Sequence, residues 1–336
     1  MHTRSRRQLV LALGALAAAP PPRLALSAAA PTPAATELPF AAGDVVVGCT
    51  LLNDPADDHR GQGRILQFDR QLRLRRSIVL DDTTHIVQGL QFGPDRSLWA
   101  FDAFAYRVLR FGADGRRRAN FVAPARSFAH VTFAADGRFF LGENFVGARS
   151  RVPLRTTLPF MPGTQRYGDG HLFEFSRSGK LLHEHATPTH GGMGGFQGLT
   201  SSALGPDQRT LYYTSESGPR IMRWDVLERR TLPDLVRTDA TGNELFFDVR
   251  FDAAGRLLVV NGLGIDALDD AGRRIRSYPL GSFGWASLGT PRDGYVYASN
   301  FFSGEIVCLD LTSGEVVART QTGIRKSASG IDSFPA

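Results

Sequence analysis

Arg64-Ile65-Leu66-Gln67-Phe68-Asp69 is one of six short apolar runs with a shared outline along this chain. In that outline, a mostly polar residue precedes aliphatic residues, then an aromatic residue or Leu, and usually Asp. The other runs begin at Arg107, His171, Arg220, Gly264 and Glu305. Self-similarity at a spacing of roughly 40 residues is typical of a repeat architecture. The repeat is therefore stronger evidence for the fold than any local motif.

Each repeat contains four strand-like segments separated by turn residues. In the second repeat these segments are 85–92, 97–101, 106–111 and 116–122, and Gly, Pro and Asp lie between them. Four short strands per period form one blade of a propeller. The sequence thus predicts an all-β, six-bladed β-propeller of four-stranded antiparallel blades. The predicted blades are 44–80, 86–123, 128–187, 195–237, 246–280 and 284–324.

The first predicted blade lacks its innermost strand, because 44–49 aligns with the second strand of the other blades. Residues 330–334 resemble the missing strand, so we expect the C-terminal segment to complete blade one. Pairing of the two chain ends would remove the exposed edges at the seam of the ring. The alternative is a frayed tail. Cys49 and Cys308 flank this seam, and they form either a disulfide or two buried free thiols.

The N-terminus has the features of an export signal. Arg6-Arg7 is the pair expected of a twin-arginine signal, and the apolar stretch 9–19 follows it. These eleven residues are fewer than the roughly 20 that a membrane-spanning helix requires. We expect cleavage among the small residues near position 30, the alternative being an uncleaved anchor. The predicted organisation is a signal at 1–30, a linker at 31–42 and one propeller domain at 43–336.

The charge of the chain excludes a nucleic-acid-binding surface. The formal charge is +6, but four of the 39 basic residues and none of the 33 acidic residues lie in the leader. The remainder carries 35 basic and 33 acidic residues, a formal charge of about +2. No later segment is long and apolar enough to span a membrane. We therefore expect a periplasmic or secreted monomer with no membrane span in the mature chain.

One stretch carries a family resemblance. Residues 198–221 (GLTSSALGPDQRTLYYTSESGPRI) resemble a blade of the senescence-marker-protein/gluconolactonase, strictosidine-synthase-like and NHL-repeat group. The resemblance implies a six-bladed propeller and, in its lactone hydrolases, a divalent metal held by Glu, Asn and Asp at the channel mouth. Where those enzymes have Asn and Asp, this chain has Gln197 and Phe247, with Asp248 one residue later.

Polar residues are predicted to converge where the inner strands begin and where the second strands end. A polar channel mouth is the default ligand site of such a fold. The candidate catalytic residues are Glu143, Glu216 and Asp248, as general bases or metal ligands, and His130, as a proton shuttle. The candidate ligand-binding residues are His85, Gln88, Asn144, Gln197, Glu244, Asn261, Trp285 and Asn300. The alternative is that strand-end Asp and Asn side chains bond neighbouring turns.

Two loops are further candidates for a functional role. The insertion 146–170 is either a lid over the mouth or a surface loop. The acidic loop 54–59 offers oxygen ligands for calcium, although a solvated loop also explains it.

Two functions follow from these observations. The favoured one is an exported propeller that binds a small molecule or an envelope protein at its polar channel mouth, without catalysis. The alternative is a metal-dependent lactone or ester hydrolase that resembles gluconolactonase. Convergence of the carboxylates of Glu143, Glu216 and Asp248 on one point would favour the hydrolase. The cofactor is open, with calcium as one candidate divalent metal.

Overall fold

The computed structural model describes residues 38–52, 61–83, 88–146, 169–192, 197–238 and 244–336, which belong to one compact unit. Their regular structure is β-strand, and the strands form six sheets arranged as a propeller. The sequence prediction of an all-β, six-bladed propeller is confirmed.

The strands follow the predicted blades in chain order. Blade one contains β1 (Val45–Leu52), β2 (Gly61–Phe68), β3 (Leu74–Leu80) and, from the C-terminal end, β23 (Ile331–Ser333). Blade two contains β4 (Gly89–Phe92), β5 (Leu98–Asp102) and β6 (Arg107–Phe111), and blade three contains β7 (Phe128–Phe133), β8 (Phe139–Glu143), β9 (Leu172–Phe175) and β10 (Leu181–His185). Blade four contains β11 (Ser201–Leu204), β12 (Thr210–Thr214), β13 (Arg220–Asp225) and β14 (Arg230–Arg237). Blade five contains β15 (Val249–Phe251), β16 (Leu257–Val260), β17 (Gly264–Leu268) and β18 (Arg274–Pro279), and blade six contains β19 (Trp285–Leu288), β20 (Tyr295–Asn300), β21 (Glu305–Asp310) and β22 (Val316–Gln321).

The turns between strands use Asp and Gly as the sequence predicted. In the turn from β15 to β16, one carboxylate oxygen of Asp252 accepts hydrogen bonds from the backbone N–H groups of Ala254, at 3.0 Å, and Arg256, at 2.9 Å. Gly255 in this turn has φ +78°, a backbone conformation that a side chain disfavours. The tight turn therefore depends on these residue types.

The C-terminal strand closes the ring. β23 pairs antiparallel with β1, with Ser333 opposite Val45 and Ile331 opposite Val47. The sheet order is β23-β1-β2-β3, so the last strand of the chain is the innermost strand of blade one. The predicted closure is confirmed, and it gives the free inner edge of β1 a partner.

The outermost segment of blade two differs from the predicted regular strand over 116–122. It joins β6 at two isolated bridges, Phe111 with Arg117 and Val108 with Phe121. The Phe121 ring packs on Trp99 at a centroid distance of 5.2 Å, inside the contact between blades two and three. The ring also packs on Phe139 and Phe175 of blade three, so this segment contributes to the contact between the blades although its ladder is interrupted.

The hydrophobic core is divided among the blade interfaces. Six large buried clusters each combine residues from two adjacent blades, and together they account for all six interfaces of the ring. Cys49 and Cys308 lie in the cluster between blades six and one, where both are buried free thiols. The disulfide alternative is therefore wrong. Burial raises the pKa of both thiols, which keeps them protonated.

Asp332 ties the closing strand to both of its neighbours. Its buried carboxylate accepts a hydrogen bond from the backbone N–H of Phe92 in blade two, at 2.7 Å, and from that of Thr290 beside blade six, at 2.8 Å. Burial raises the pKa of this carboxyl, and the nearby Arg292 acts in the opposite direction. One side chain thus links three blades at the seam.

We predict that Asp332→Ala lowers the free energy of unfolding by about 2–4 kcal/mol, because two buried N–H donors lose their acceptor. Asp310→Ala is the matched control, since Asp310 also accepts two backbone N–H bonds, but in an exposed turn. The control is expected to lose about 1 kcal/mol or less. Urea unfolding measures both. Equal losses in the two variants would show that Asp332 has no special role in closure.

Candidate functional site

The six inner strands surround one cavity on the axis of the ring. Its volume is about 120 Å³, and every blade contributes to its wall. The lining residues are Gln88, Gly89, Leu90, Gln91, Ala129, His130, Asn144, Thr200, Ser201, Glu216, Phe247, Asp248, Arg250, Ala286, Ser287, Phe301, Ala328, Ser329, Gly330 and Ile331. Five of the predicted site residues belong to this lining, namely Gln88, His130, Asn144, Glu216 and Asp248.

Side-chain hydrogen bonds connect all adjacent blades around this cavity. Asp332 joins blade one to blades two and six. The Asn144 amide donates to the Gln88 side-chain oxygen at 3.2 Å, between blades three and two. The three remaining connections are His130 with Ser202, Ser201 with Asp248, and the Leu288 N–H with Asp248. We call these contacts the polar belt.

His130 is a structural member of the belt. Its Nε2 lies 2.7 Å from the Ser202 hydroxyl, which also lies 2.8 Å from the Thr132 hydroxyl. Burial lowers the pKa of His130 to about 3, and the positive charge of Arg250 adds to the effect. The imidazole is therefore neutral near pH 7. It does not change charge in the range in which a proton shuttle would operate.

Asp248 is held by hydrogen bonds on both carboxylate oxygens. One oxygen accepts from the Ser201 hydroxyl, from the Val249 N–H at 2.8 Å and from the Arg250 guanidinium at 2.6 Å. The other accepts from the Leu288 N–H at 2.8 Å. Arg250 compensates the charge of Asp248. Because the other partners include Ser201 of blade four and Leu288 of blade six, this carboxylate ties blades four, five and six together.

Glu216 differs from Asp248, the other carboxylate of the lining. It lies on the loop that follows β12, and its backbone N–H donates to the Thr200 hydroxyl at 2.7 Å, which fixes the residue at the cavity wall. Within the described part of the chain its carboxyl forms no hydrogen bond or ion pair. Burial alone raises its pKa. Glu216 is thus an acid at the cavity wall with neither a donor nor a counter-charge from these residues.

Glu143 is not part of the cavity lining that the described residues form, in contrast to its predicted catalytic position. One carboxylate oxygen accepts hydrogen bonds from three consecutive backbone N–H groups, those of Asp169, Gly170 and His171, at 3.0–3.1 Å. The other oxygen lies 3.2 Å from a guanidinium nitrogen of Arg126. The side chain is completely buried and fixes the backbone at the end of the long insertion.

Two predicted ligand-binding residues cap their own turns. The Asn261 side-chain oxygen accepts from the Leu263 and Gly264 N–H groups, and the Asn300 oxygen accepts from those of Phe302 and Ser303. For both residues the turn alternative holds, because short amide side chains at strand ends satisfy nearby backbone donors.

The remaining candidates are dispersed. Trp285 is fully buried in the cluster between blades five and six, and Glu244 is exposed. Gln197 pairs through its backbone with Phe145 and Gly191, outside the cavity lining, whereas Gln88 and Asn144 belong to the lining. His85, the acidic loop 54–59 and most of the predicted lid lie outside the described residues.

The donor set does not match a metal centre of the lactone hydrolase type. In the described ranges, no group of three or more His, Cys, Asp and Glu side chains is placed to hold a metal ion. Glu143, Glu216 and Asp248 therefore do not converge, since each lies in a described segment. Glu143 and Asp248 are already held by contacts with distant segments of the chain, which differ from the bonds across a single turn that the alternative described.

Arg250 is a cavity residue that the sequence analysis missed. It lies two residues after Asp248 at the start of the same inner strand, and side chains at this spacing project from one face of a strand. Ser201 and Ser287 were missed as well, although both lie in segments that the sequence analysis predicted as inner strands. The alternation of side chains along those strands could have identified these cavity residues.

Comparison with solved structures supports the fold. A chain of a nidogen/laminin complex matches at TM-score 0.58 and 13% identity, over 87% of this chain and 98% of that chain. A protein of unknown function from Bacteroides caccae matches at 0.59 and 13%, over 88% and 99%. A streptogramin B lyase matches at 0.52 and 12%, over 86% and 91%.

These matches define the architecture. This chain is a six-bladed β-propeller. Identities this low show the fold alone, and no family model or curated protein matches the sequence. The resemblance of the propeller to the gluconolactonase and NHL-repeat group therefore stays a prediction. The described segments contain no helix with the length and apolar character needed to cross a membrane.

The depressed pKa of His130 predicts a pH dependence of stability. The unfolded chain takes up a proton near pH 6.5, whereas folded His130 does so only near pH 3. The contribution of this residue is complete above pH 6.5 and is lost as the pH falls towards 3. We expect a loss of about 2 kcal/mol between pH 7 and pH 5.

The measurement is urea unfolding at pH 7 and pH 5 for the wild type and for His130→Gln, which keeps a hydrogen-bonding group near Ser202. The variant is expected to lose less stability than the wild type over this interval. Identical pH dependences would contradict a buried neutral imidazole. The comparison is between the change in unfolding free energy from pH 7 to pH 5 in the wild type and the same change in the variant. A lower absolute stability of the variant therefore does not affect the result.

Proposed function

We propose that this propeller binds a small molecule bearing a cationic nitrogen in its central cavity, with Glu216 as the counter-ion and without catalysis. The observation that carries the proposal is the Glu216 carboxyl, which lines the cavity and has no partner among the described residues. Glu216 is half-buried, and a carboxylate in this setting without a counter-charge is unfavourable, so a ligand that supplies the opposite charge offsets this cost.

The charges of the cavity favour a cation. Asp248 and Arg250 compensate each other at 2.6 Å, and His130 is neutral near pH 7. When Glu216 is ionised, the described lining has one uncompensated negative charge. A protonated amine or a quaternary ammonium group complements that charge, whereas an anion would be repelled.

The aromatic residues of the lining support the same ligand class. Phe247 and Phe301 belong to the cavity wall in blades five and six. Aromatic rings attract ammonium groups through their quadrupole, most strongly when water is excluded. The volume of about 120 Å³ is small beside the roughly 300–1,000 Å³ of drug-sized sites, so it suits a head group or a small amine.

The hydrolase alternative has less support. It needs several oxygen ligands around one metal ion, and Glu143 and Asp248 are fixed by hydrogen bonds away from any common point. An envelope protein as the partner has no comparable observation in its favour. The small-molecule function is therefore the one we propose.

We further propose that the protein acts outside the cytoplasm. The support is the sequence of the leader, with Arg6-Arg7 and the short apolar stretch that follows. A fusion of residues 1–42 to a reporter that is active only after twin-arginine export tests this proposal, with Arg6→Lys/Arg7→Lys as the control. Equal export of the two fusions would refute it.

The role of Glu216 is tested with choline and its uncharged carbon analogue 3,3-dimethylbutan-1-ol. We expect the wild type to bind choline more tightly, and Glu216→Gln to weaken choline binding by roughly 10–100-fold, the range for a charge-assisted contact. Isothermal titration calorimetry measures both affinities. The matched control is Glu315→Gln, an exposed glutamate on the outer edge of blade six, which should bind as the wild type does. Equal affinity for choline and its analogue would contradict the proposal.

Choline binding should also depend on pH. The pKa of Glu216 is raised by burial, so the carboxyl becomes neutral at a higher pH than an exposed glutamate does. Affinity should therefore fall as the pH is lowered from 8 to 5 in the wild type, and should stay nearly constant in Glu216→Gln. A wild-type affinity that is constant over this interval would argue against Glu216 as the counter-ion.

A further inference from the structure

The face of the ring that holds the channel mouth also carries exposed apolar side chains. Leu263 lies in the turn from β16 to β17, Phe283 precedes β19, and Phe302 follows β20. Their exposed fractions are 56%, 47% and 47%. Large apolar residues at loop tips are unusual on a solvated surface when they are neighbours.

These three residues are neighbours. The rings of Phe283 and Phe302 stack at an interplanar angle of 29°, with centroids 6.0 Å apart. Phe283 lies against Gly262, where an added Cβ would be only 2.5 Å from its ring, and Leu263 is the next residue along the chain. The Gly284 N–H donates to the Gly262 carbonyl at 2.8 Å, which holds the two loops together.

Two basic residues lie beside the aromatic loops. Arg325 and Lys326 are exposed, and neither forms an ion pair with a described residue. The Lys326 N–H donates to the Phe302 carbonyl at 3.2 Å, and the Ser327 N–H donates to the Phe301 carbonyl at 3.1 Å. Backbone hydrogen bonds thus fix this basic loop next to the apolar one. We call Leu263, Phe283, Phe302, Arg325 and Lys326 the rim patch.

We propose that the rim patch docks the propeller on an anionic lipid surface, with the channel mouth towards the membrane. Aromatic and aliphatic side chains partition into the interfacial region of a bilayer, and adjacent Arg and Lys side chains are attracted to anionic head groups. The patch combines both features within adjacent loops of one face.

The size of the patch favours lipid over a protein partner. Each partly exposed apolar side chain offers about 100 Å² of surface, roughly 300 Å² together. A stable protein interface buries about 800 Å² on each partner. Peripheral membrane binding has no such requirement, because a few inserted side chains and basic residues act together.

The test is co-sedimentation of the full chain with vesicles of phosphatidylglycerol, compared with uncharged vesicles of digalactosyldiacylglycerol, because neither head group has a cationic nitrogen that the central cavity could bind. We expect binding to the anionic vesicles, and weaker binding at high salt because the electrostatic attraction is screened. Every variant carries the same N-terminal sequence, so any contribution of the leader is common to all of them.

Two double variants separate the apolar and the charged contributions. Phe283→Ala/Phe302→Ala should weaken binding to anionic vesicles at least about tenfold. Arg325→Gln/Lys326→Gln should weaken it by about 25-fold, at roughly fivefold per basic residue, and should leave binding to the uncharged vesicles unchanged. The matched control is Ile275→Ala/Val317→Ala, in which both apolar side chains are 52% exposed on outer strands. This control should bind as the wild type does.

Equal vesicle binding by the wild type and both rim-patch variants would overturn the proposal. A wild type that fails to bind vesicles but dimerises through Phe283 and Phe302, as light scattering of the variants would show, would assign the patch to a second copy and also overturn it. The charge variant keeps the proposal falsifiable if the aromatic variant unfolds. Glu216→Gln should bind vesicles normally, so the choline and vesicle results are independent.

Discussion

The structure depends on the contacts between neighbouring blades. A single blade is a small sheet with two apolar faces, and it cannot bury both unless a blade lies on each side. The buried clusters accordingly sit between blades, one at each interface of the ring. Such an arrangement is complete only when the ring is closed, and the pairing of β23 with β1 completes the two interfaces of blade one, whose clusters include Phe334 and Ile331.

The polar belt also links neighbouring blades, at the axis of the ring. Inner strands approach each other with polar side chains, and these must find partners because little water reaches them. Asp332 and Asp248 each accept backbone N–H bonds from adjacent blades, and Ser202 joins His130 and Thr132. Buried networks of this kind specify one arrangement when every member has a partner. Glu216 stands out because its carboxyl has none within the described segments.

Much of the fold followed from the sequence, because the repeat fixes strand order and the turn residues fix the hairpins. The C-terminal closure was also predictable, since the first repeat lacked one strand that 330–334 resembled. The site was harder to predict. Glu143 and Glu216 both lie at the ends of second strands, yet only Glu143 meets three backbone N–H groups, which come from beyond the insertion of its blade. Which backbone groups reach Glu143 from the far end of that insertion depends on tertiary structure, so the sequence pattern does not reveal it. Trp285 was misplaced at the mouth for a related reason, because its burial depends on blade five.

The position of β23 at the far end of the sequence has a consequence for biosynthesis. Blade one emerges first from the ribosome, but its innermost strand becomes available only after residue 333 has been made. Until then the free edge of β1 is a site at which a nascent chain can aggregate. The ring therefore cannot close until the segment that forms β23 has left the ribosome, and a truncation before residue 331 would leave the first blade open.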